Sequence, residues 1–249
     1  MPDPAPATTA SAARPGRPAS ATGGAFPRIV VNAKTYPQAT GHAAVTALAK
    51  ACQDVGARIG EPIGLAPPMV ELATVGRLAL PDVVVLAQHV DALQPGAGTG
   101  WVTVEGIAGA GAAGSLLNHA EHKLPHDQLA AIQQRLRGAG LLSLVCADSM
   151  AEVRKLAPLG PTALAIEPPE LIGGNVSVTS ADPAIVREAA AATRKAAPAT
   201  LPLCGAGVKG AGDVAAALRL GAHGVLLASG VAAAKDPAKA LADLAVGLD

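Results

Sequence analysis

Residues 141–169 read LLSLVCADSMAEVRKLAPLGPTALAIEPP. An apolar run, Leu141–Cys146, leads to Ser149 and Glu152 at the spacing of a helix N-terminal capping box, then to a short amphipathic segment and a second apolar run, Thr162–Ile166. Near-continuous apolar runs, broken here only by Ser143 and opened by Thr162, are what strands covered on both faces show. The stretch therefore reads as a strand-helix-strand unit belonging to a parallel sheet.

The same alternation extends in both directions from Phe26 to the C-terminus. Upstream, the strand candidates are Arg28–Ala33, Pro62–Ala66, Asp82–Gln88 and Gly114–Asn118; downstream they are Leu201–Cys204 and Gly224–Ala228. A helix follows each. The first, after Gly41, sets Val45, Leu48, Cys52 and Val55 near one face, and the last runs from Asp236 and Pro237 through Leu241, Leu244 and Leu248. Asp182 followed by Pro183 is another cap and first-turn pair. Eight such units in a chain of 249 residues predict an α/β fold, a (β/α)8 barrel forming a single domain over residues 26–249. Residues Met1–Ala25 are Ala, Pro, Thr, Ser and Gly without hydrophobic periodicity, and are expected to form a disordered tail.

Composition narrows the function classes. With 19 basic and 19 acidic residues the formal net charge is zero, which gives no footprint for nucleic acid or an anionic membrane. No apolar run approaches the ~20 residues of a spanning helix, and residues 1–25 lack the apolar core of a secretory signal. Cys52, Cys146 and Cys204 fit neither a disulfide framework nor zinc-ligand spacing, so a reducing, cytoplasmic setting is expected. The aromatic residues are Phe26, Tyr36 and Trp101 alone, which predicts an aliphatic core.

In a barrel of this kind the chemistry sits where strands end, because side chains fill the interior. The first strand ends with Asn32 and Lys34, which alternation sends to one side, so that an ammonium and an amide face the mouth. The fourth ends Asn118-His119-Ala120-Glu121, with an imidazole suited to passing a proton between adjacent oxygens. The sixth ends at Glu167, where burial would raise a carboxyl pKa into the range of a general base; Pro168-Pro169 and Gly173-Gly174 then give a segment the composition of a closing lid. Gly205-Ala206-Gly207 and Ala228-Ser229-Gly230 end the last two strands with small residues whose N–H groups can cradle a phosphate. Singly, each feature also fits a solvated lysine, a surface carboxylate or an ordinary turn.

Together and in this order, VVNAKTY (30–36), AQHVDALQPGAGTG (87–100), GSLLNHAEHKL (114–124), AIEPPELIGG (165–174), LCGAGV (203–208) and LLASGVAAAKDP (226–237) resemble triosephosphate isomerases, in particular the short archaeal type, from Ile29 to the C-terminus. The resemblance implies a TIM barrel that interconverts glyceraldehyde 3-phosphate and dihydroxyacetone phosphate through an enediolate, in glycolysis and gluconeogenesis, without metal or organic cofactor. It implies Glu167 as catalytic base, His119 as neutral electrophile, Lys34 as electrostatic partner and Asn32 as a substrate contact; Glu121, at the rim beside His119, reads either as a surface charge or as a carboxylate that orients and neutralises Lys34. Backbone groups at Ile172 or Gly173, Gly207, Ala228 and Ser229 would hold the phosphate. It also implies a homodimer, with the loop Gln88–Trp101 and its Thr99 packing against the partner; a homotetramer, known for some archaeal-type members, stays open.

The chain departs from the family pattern at Ala33, where a large aromatic is common, and at Ala120, where a Ser often follows the histidine. It departs again at Gly174-Asn175, where Gly-Thr-Gly is frequent at the end of the lid, and at Lys209, where a Ser is frequent. Two rival readings follow: an isomerase for a tetrose phosphate, admitted by the small side chains at Ala33 or Ala120, and a phosphate-ligand binder without catalysis.

Overall fold

The computed structural model describes residues 26–249; the expected tail, Met1–Ala25, lies outside the described residues. Eight parallel strands close in sequence order into a barrel. They are β1 (Ile29–Asn32), β2 (Ile63–Ala66), β3 (Val83–Ala87), β4 (Gly114–Leu117), β5 (Leu142–Ala147), β6 (Ala163–Ile166), β7 (Leu201–Gly205) and β8 (Gly224–Leu227). Closure is made by β1 and β8, with Val30 opposite Leu226. Each expected strand is found, shifted or trimmed by a residue or two at its ends.

The helices cover the outside: α1 (His42–Ile59), α2 (Leu72–Arg77), α3 (Val104–Gly109), α4 (His126–Gly138), α5 (Met150–Leu156), α6 (Val178–Ala181), α7 (Pro183–Ala196), α8 (Ala211–Arg219), α9 (Ser229–Ala232) and α10 (Pro237–Ala245). Val45, Leu48, Cys52 and Val55 of α1 are buried, as the periodicity predicts. Asp182 and Asp236 accept the N–H groups of Ile185 and Lys239 at 3.0 and 2.9 Å and start α7 and α10. The last helix stops short of Leu248, tightening into a 3-10 turn over Val246–Leu248. Ser149 caps α5 by accepting from Glu152 N–H at 3.3 Å, but the reciprocal half of the expected capping box is absent: Glu152 Oε2 accepts the Asp148 N–H at 2.9 Å and the Lys123 ammonium at 2.6 Å instead.

Strand alternation splits the apolar residues into two layers. Val30, Ala66, Leu86, Leu116, Leu144, Cys146, Ala163, Ala165, Leu203 and Leu226 fill the barrel with Phe26, while Val31, Leu65, Val85, Leu117, Val145, Leu164, Cys204 and Val225 pack against the helices. Large and small interior side chains interdigitate, so the barrel is a solid aliphatic core. Asn32 and Glu167 continue the inward-facing series of β1 and β6, which places them above this core at the carboxyl ends of the strands.

Candidate active site

A pocket opens over the carboxyl ends of the strands and is lined by residues of the β1, β4, β6, β7 and β8 ends, among them Asn32, Lys34, His119, Glu167, Gly207 and Ser229. Glu167 is buried, and its Oε2 has no hydrogen-bond partner among the described residues. Loss of hydration pushes its carboxyl up to about 7, against the opposing pull of the Cys146 thiol beneath it and of the Lys34 charge. Its close seat depends on Gly205: a Cβ there would lie 2.4 Å from Glu167 Oε1. Opposite, His119 Nε2 stands 3.8 Å from Glu167 Oε2.

The other nitrogen of His119, Nδ1, accepts the backbone N–H of Glu121 at 3.1 Å. That acceptor role leaves the ring neutral with its proton on Nε2, facing the pocket. Burial, then the charge of Lys34, holds the imidazole below its ordinary pKa and keeps it neutral. The turn that carries it is built by Asn118, whose φ of 58° ends β4 one residue earlier than expected. Asn118 Nδ2 donates to the Cys146 carbonyl at 2.9 Å, and its Oδ1 accepts from Leu124 N–H at 3.0 Å.

Lys34 reaches the pocket by a route that simple alternation does not describe. Its φ is 46°, so the chain leaves the strand conformation before it. Asn32 Oδ1 accepts the Lys34 N–H at 3.0 Å, and Gln88 Nε2 donates to the Lys34 carbonyl at 3.0 Å and to the Ala66 carbonyl at 3.1 Å. Both peptide groups of the lysine are thereby pinned. Its ammonium donates to Glu121 Oε1 at 2.7 Å, the contact expected between these two residues. Gln88 is a residue the sequence reading did not single out as part of the site, although its inward parity after Val84 and Leu86 on β3 is visible in the sequence.

At the far end, Gly173, Gly207, Ala228 and Ser229 line one wall together with Ile172. The Ile172 N–H donates to the Pro169 carbonyl at 3.2 Å, so of the two candidates it is Gly173 whose N–H finds no partner among the described residues. The loop after β7 rises through Ala206 and Gly207 with φ of 74° and 69°. A Cβ on Gly207 would lie 2.0 Å from the Val176 carbonyl oxygen, so this loop and the segment after β6 touch backbone to backbone. Tyr36 also lines the pocket, which the motif contained but no role anticipated.

Ala33 and Ala120 do not line the pocket. Ala33 is buried in the outer layer beneath the helices, so the absence of a large side chain there adds no room for a longer substrate. That removes the structural ground for the tetrose reading. Among the described residues no helix is long and apolar enough to cross a membrane, and no cluster of His, Cys, Asp and Glu fits a metal ion. The cysteines are free and buried.

The family model described as triosephosphate isomerase matches residues 27–245. A protein of Methanopyrus kandleri named triosephosphate isomerase is 43% identical over 223 residues, covering 90% of this chain and 98% of the relative. Proteins of the same name from Cenarchaeum symbiosum and Methanosarcina barkeri are 43% and 42% identical, covering 88% of this chain and 96% and 97% of their own lengths. The barrel, the pocket at its carboxyl face and these matches along nearly all of residues 27–245 place the chain in the triosephosphate isomerase family.

Proposed function

We propose that this protein interconverts D-glyceraldehyde 3-phosphate and dihydroxyacetone phosphate by proton transfer through an enediolate. The observation that carries the reading is Glu167 Oε2, a buried carboxylate oxygen without a partner, facing a neutral imidazole 3.8 Å away in a closed-in pocket.

In this reading Glu167 removes the proton from the carbon next to the carbonyl. A carboxyl near 7 binds that proton strongly enough to take it and weakly enough to return it to the neighbouring carbon. His119 Nε2–H donates to the carbonyl oxygen as negative charge grows there, and can pass a proton between the two oxygens of the enediolate. Lys34 supplies a fixed positive charge beside those oxygens, held in place by Asn32, Gln88 and Glu121. The N–H groups of Gly173, Gly207 and Ser229, with those near Ile172 and Ala228, take the phosphate; this spends the binding energy of a remote group on orienting the reacting carbons. No cofactor has a step in this scheme. The test is steady-state isomerisation of both triose phosphates by wild type and Glu167→Gln, which keeps the shape and removes the base. Wild-type turnover that falls at least ~100-fold in the variant is expected; a folded wild type that binds but does not turn over either triose would overturn the reading.

We further place the enzyme in the cytoplasm as a homodimer, with Gln88–Trp101 as the intersubunit loop. Its neck is closed by Asp91 N–H to Val102 carbonyl at 2.8 Å and Val102 N–H to Asp91 Oδ2 at 2.7 Å, and Arg135 of α4 donates to the Leu93 carbonyl. In this loop Trp101 is 59% exposed, an apolar surface that a second subunit would cover.

A further inference from the structure

The rings of His89 and His122 stack face to face, with centroids 3.8 Å apart and planes 13° from parallel. Neither ring lines the pocket. The His89 side of the stack is rigid. Its ring is buried, and its Nε2 donates to Asp91 Oδ1 at 3.0 Å, the same aspartate that closes the neck of the loop after β3 through its bonds with Val102. One residue earlier, Gln88 is pinned to the carbonyls of Lys34 and Ala66. His89 is therefore a fixed platform.

His122 is exposed, and an exposed side chain held in one rotamer gives up entropy that its contacts must offset. What lies behind its ring is the turn that carries His119. The His122 N–H donates to the His119 carbonyl at 2.8 Å and closes a turn over residues 119–122, and that turn brings the Glu121 N–H to His119 Nδ1 at 3.1 Å. Partial burial, then the neighbouring His89, holds the His122 ring below its ordinary pKa against the pull of Asp91, so this ring brings no charge to the stack at neutral pH.

We propose that His89 and His122 are positioning residues for the reaction: their stack holds the turn over residues 119–122 so that the Glu121 N–H stays on His119 Nδ1, and thereby sets the donor that faces the substrate. The proposal rests on the isomerase reading above for its effect on rate, but not for its effect on the His119 ring. If the turn loosens, the neutral imidazole loses a hydrogen bond that the imidazolium cannot make, so its pKa rises and its Nε2–H loses a fixed aim into the pocket. The charged and titratable groups that face this ring are Lys34 and Lys123, which lower its pKa, Glu121, which raises it, and Glu167 at 3.8 Å. Substitution at His122 leaves all of them in place.

The test compares wild type, His122→Ala and His122→Phe by nitrogen NMR of the His119 ring across pH and by steady-state isomerisation. Phenylalanine keeps a flat ring for His89 to carry, and alanine removes it. Because His122 is exposed, both variants are expected to fold. In His122→Ala the His119 midpoint should move up and kcat should fall roughly two- to tenfold, the fold-change of one aromatic pair, with KM little changed because the phosphate wall lies at the far end of the pocket. His122→Phe should restore both. An alanine variant whose His119 titrates as in wild type overturns the proposal whatever its rate, as does a phenylalanine variant no better than the alanine one. The NMR readout needs no turnover, so a wild type that fails to isomerise while the midpoint still moves in His122→Ala sinks the isomerase reading and leaves the role of the stack standing.

Discussion

His119 Nδ1 accepts the backbone N–H of Glu121 at 3.1 Å, and this one bond sets the charge and the tautomer of the imidazole. A protonated ring has no lone pair at Nδ1 and would lose the bond. Burial and the Lys34 charge act in the same direction. Nitrogen NMR of the His119 ring should therefore show a neutral ring, protonated at Nε2, still present at the ordinary histidine midpoint of 6.5. Half-protonation at that pH would contradict the assignment.

Glu167 should dominate the acid limb of the pH profile. In the free enzyme the base must be ionised, so kcat/KM should rise with pH and level off above about 7. Lys34 lowers this pKa, so Lys34→Met should move the limb upward as well as reduce the rate. A limb that stays in place would show that the lysine acts on the substrate only.

The same burial has a stability signature. The folded carboxyl titrates near 7 and an unfolded one near 4.5, so the native state binds the extra proton and stability falls as pH rises through that window. Above it the strain is of order 3 kcal/mol, taken from about 1.4 kcal/mol per pKa unit. Glu167→Gln should thus be more stable than wild type at pH 8, with the gain vanishing near pH 4. Denaturant midpoints at both pH values decide it; equal midpoints at pH 8 would mean that Glu167 is well solvated.

Gly207→Ala should weaken both stability and substrate binding. The new Cβ would meet the Val176 carbonyl at 2.0 Å in a residue with φ of 69°, so one of the two loops must move. A cost of about 1–3 kcal/mol is expected, with KM raised more than kcat is lowered. Unchanged KM would show that the loop after β7 does not hold the phosphate.

Trp101 is the single tryptophan of the chain and is 59% exposed in the protomer. If the loop Gln88–Trp101 packs against a second subunit, emission should be that of a buried indole at micromolar concentration and shift to the red on dilution, in step with the sedimentation coefficient. A solvent-exposed spectrum at all concentrations would remove this loop from the interface.

Much of the fold is legible along the chain because both of its signals are local. Strands covered on both faces read as near-continuous apolar runs, as in Val83–Ala87 and, but for Ser143, Leu142–Ala147, and helices that lie on them must carry one apolar face and a capping residue, as with Asp182 and Asp236. Local signals fail where a side chain has distant competitors. Glu152 stands at the spacing of a reciprocal cap, yet Lys123 and the Asp148 N–H claim it.

The positions of Asn32 and Glu167 at strand ends follow from the sequence, since inward parity and barrel architecture together send them to the carboxyl face; His119 has the outward parity of Leu117 and reaches the pocket through the left-handed turn at Asn118. How they are held does not follow from the sequence. The left-handed turn at Lys34 pinned by Gln88, the acceptor role of His119 Nδ1 and the seat that Gly205 leaves for Glu167 all join residues remote in sequence or depend on backbone angles that composition does not encode. The sequence by itself determined the order of the strands and which groups stand at the mouth of the barrel, because burial periodicity is a property of neighbours. Only the tertiary structure decided their protonation and their aim, because desolvation and hydrogen bonding are set by whatever the closed barrel brings within a few ångströms.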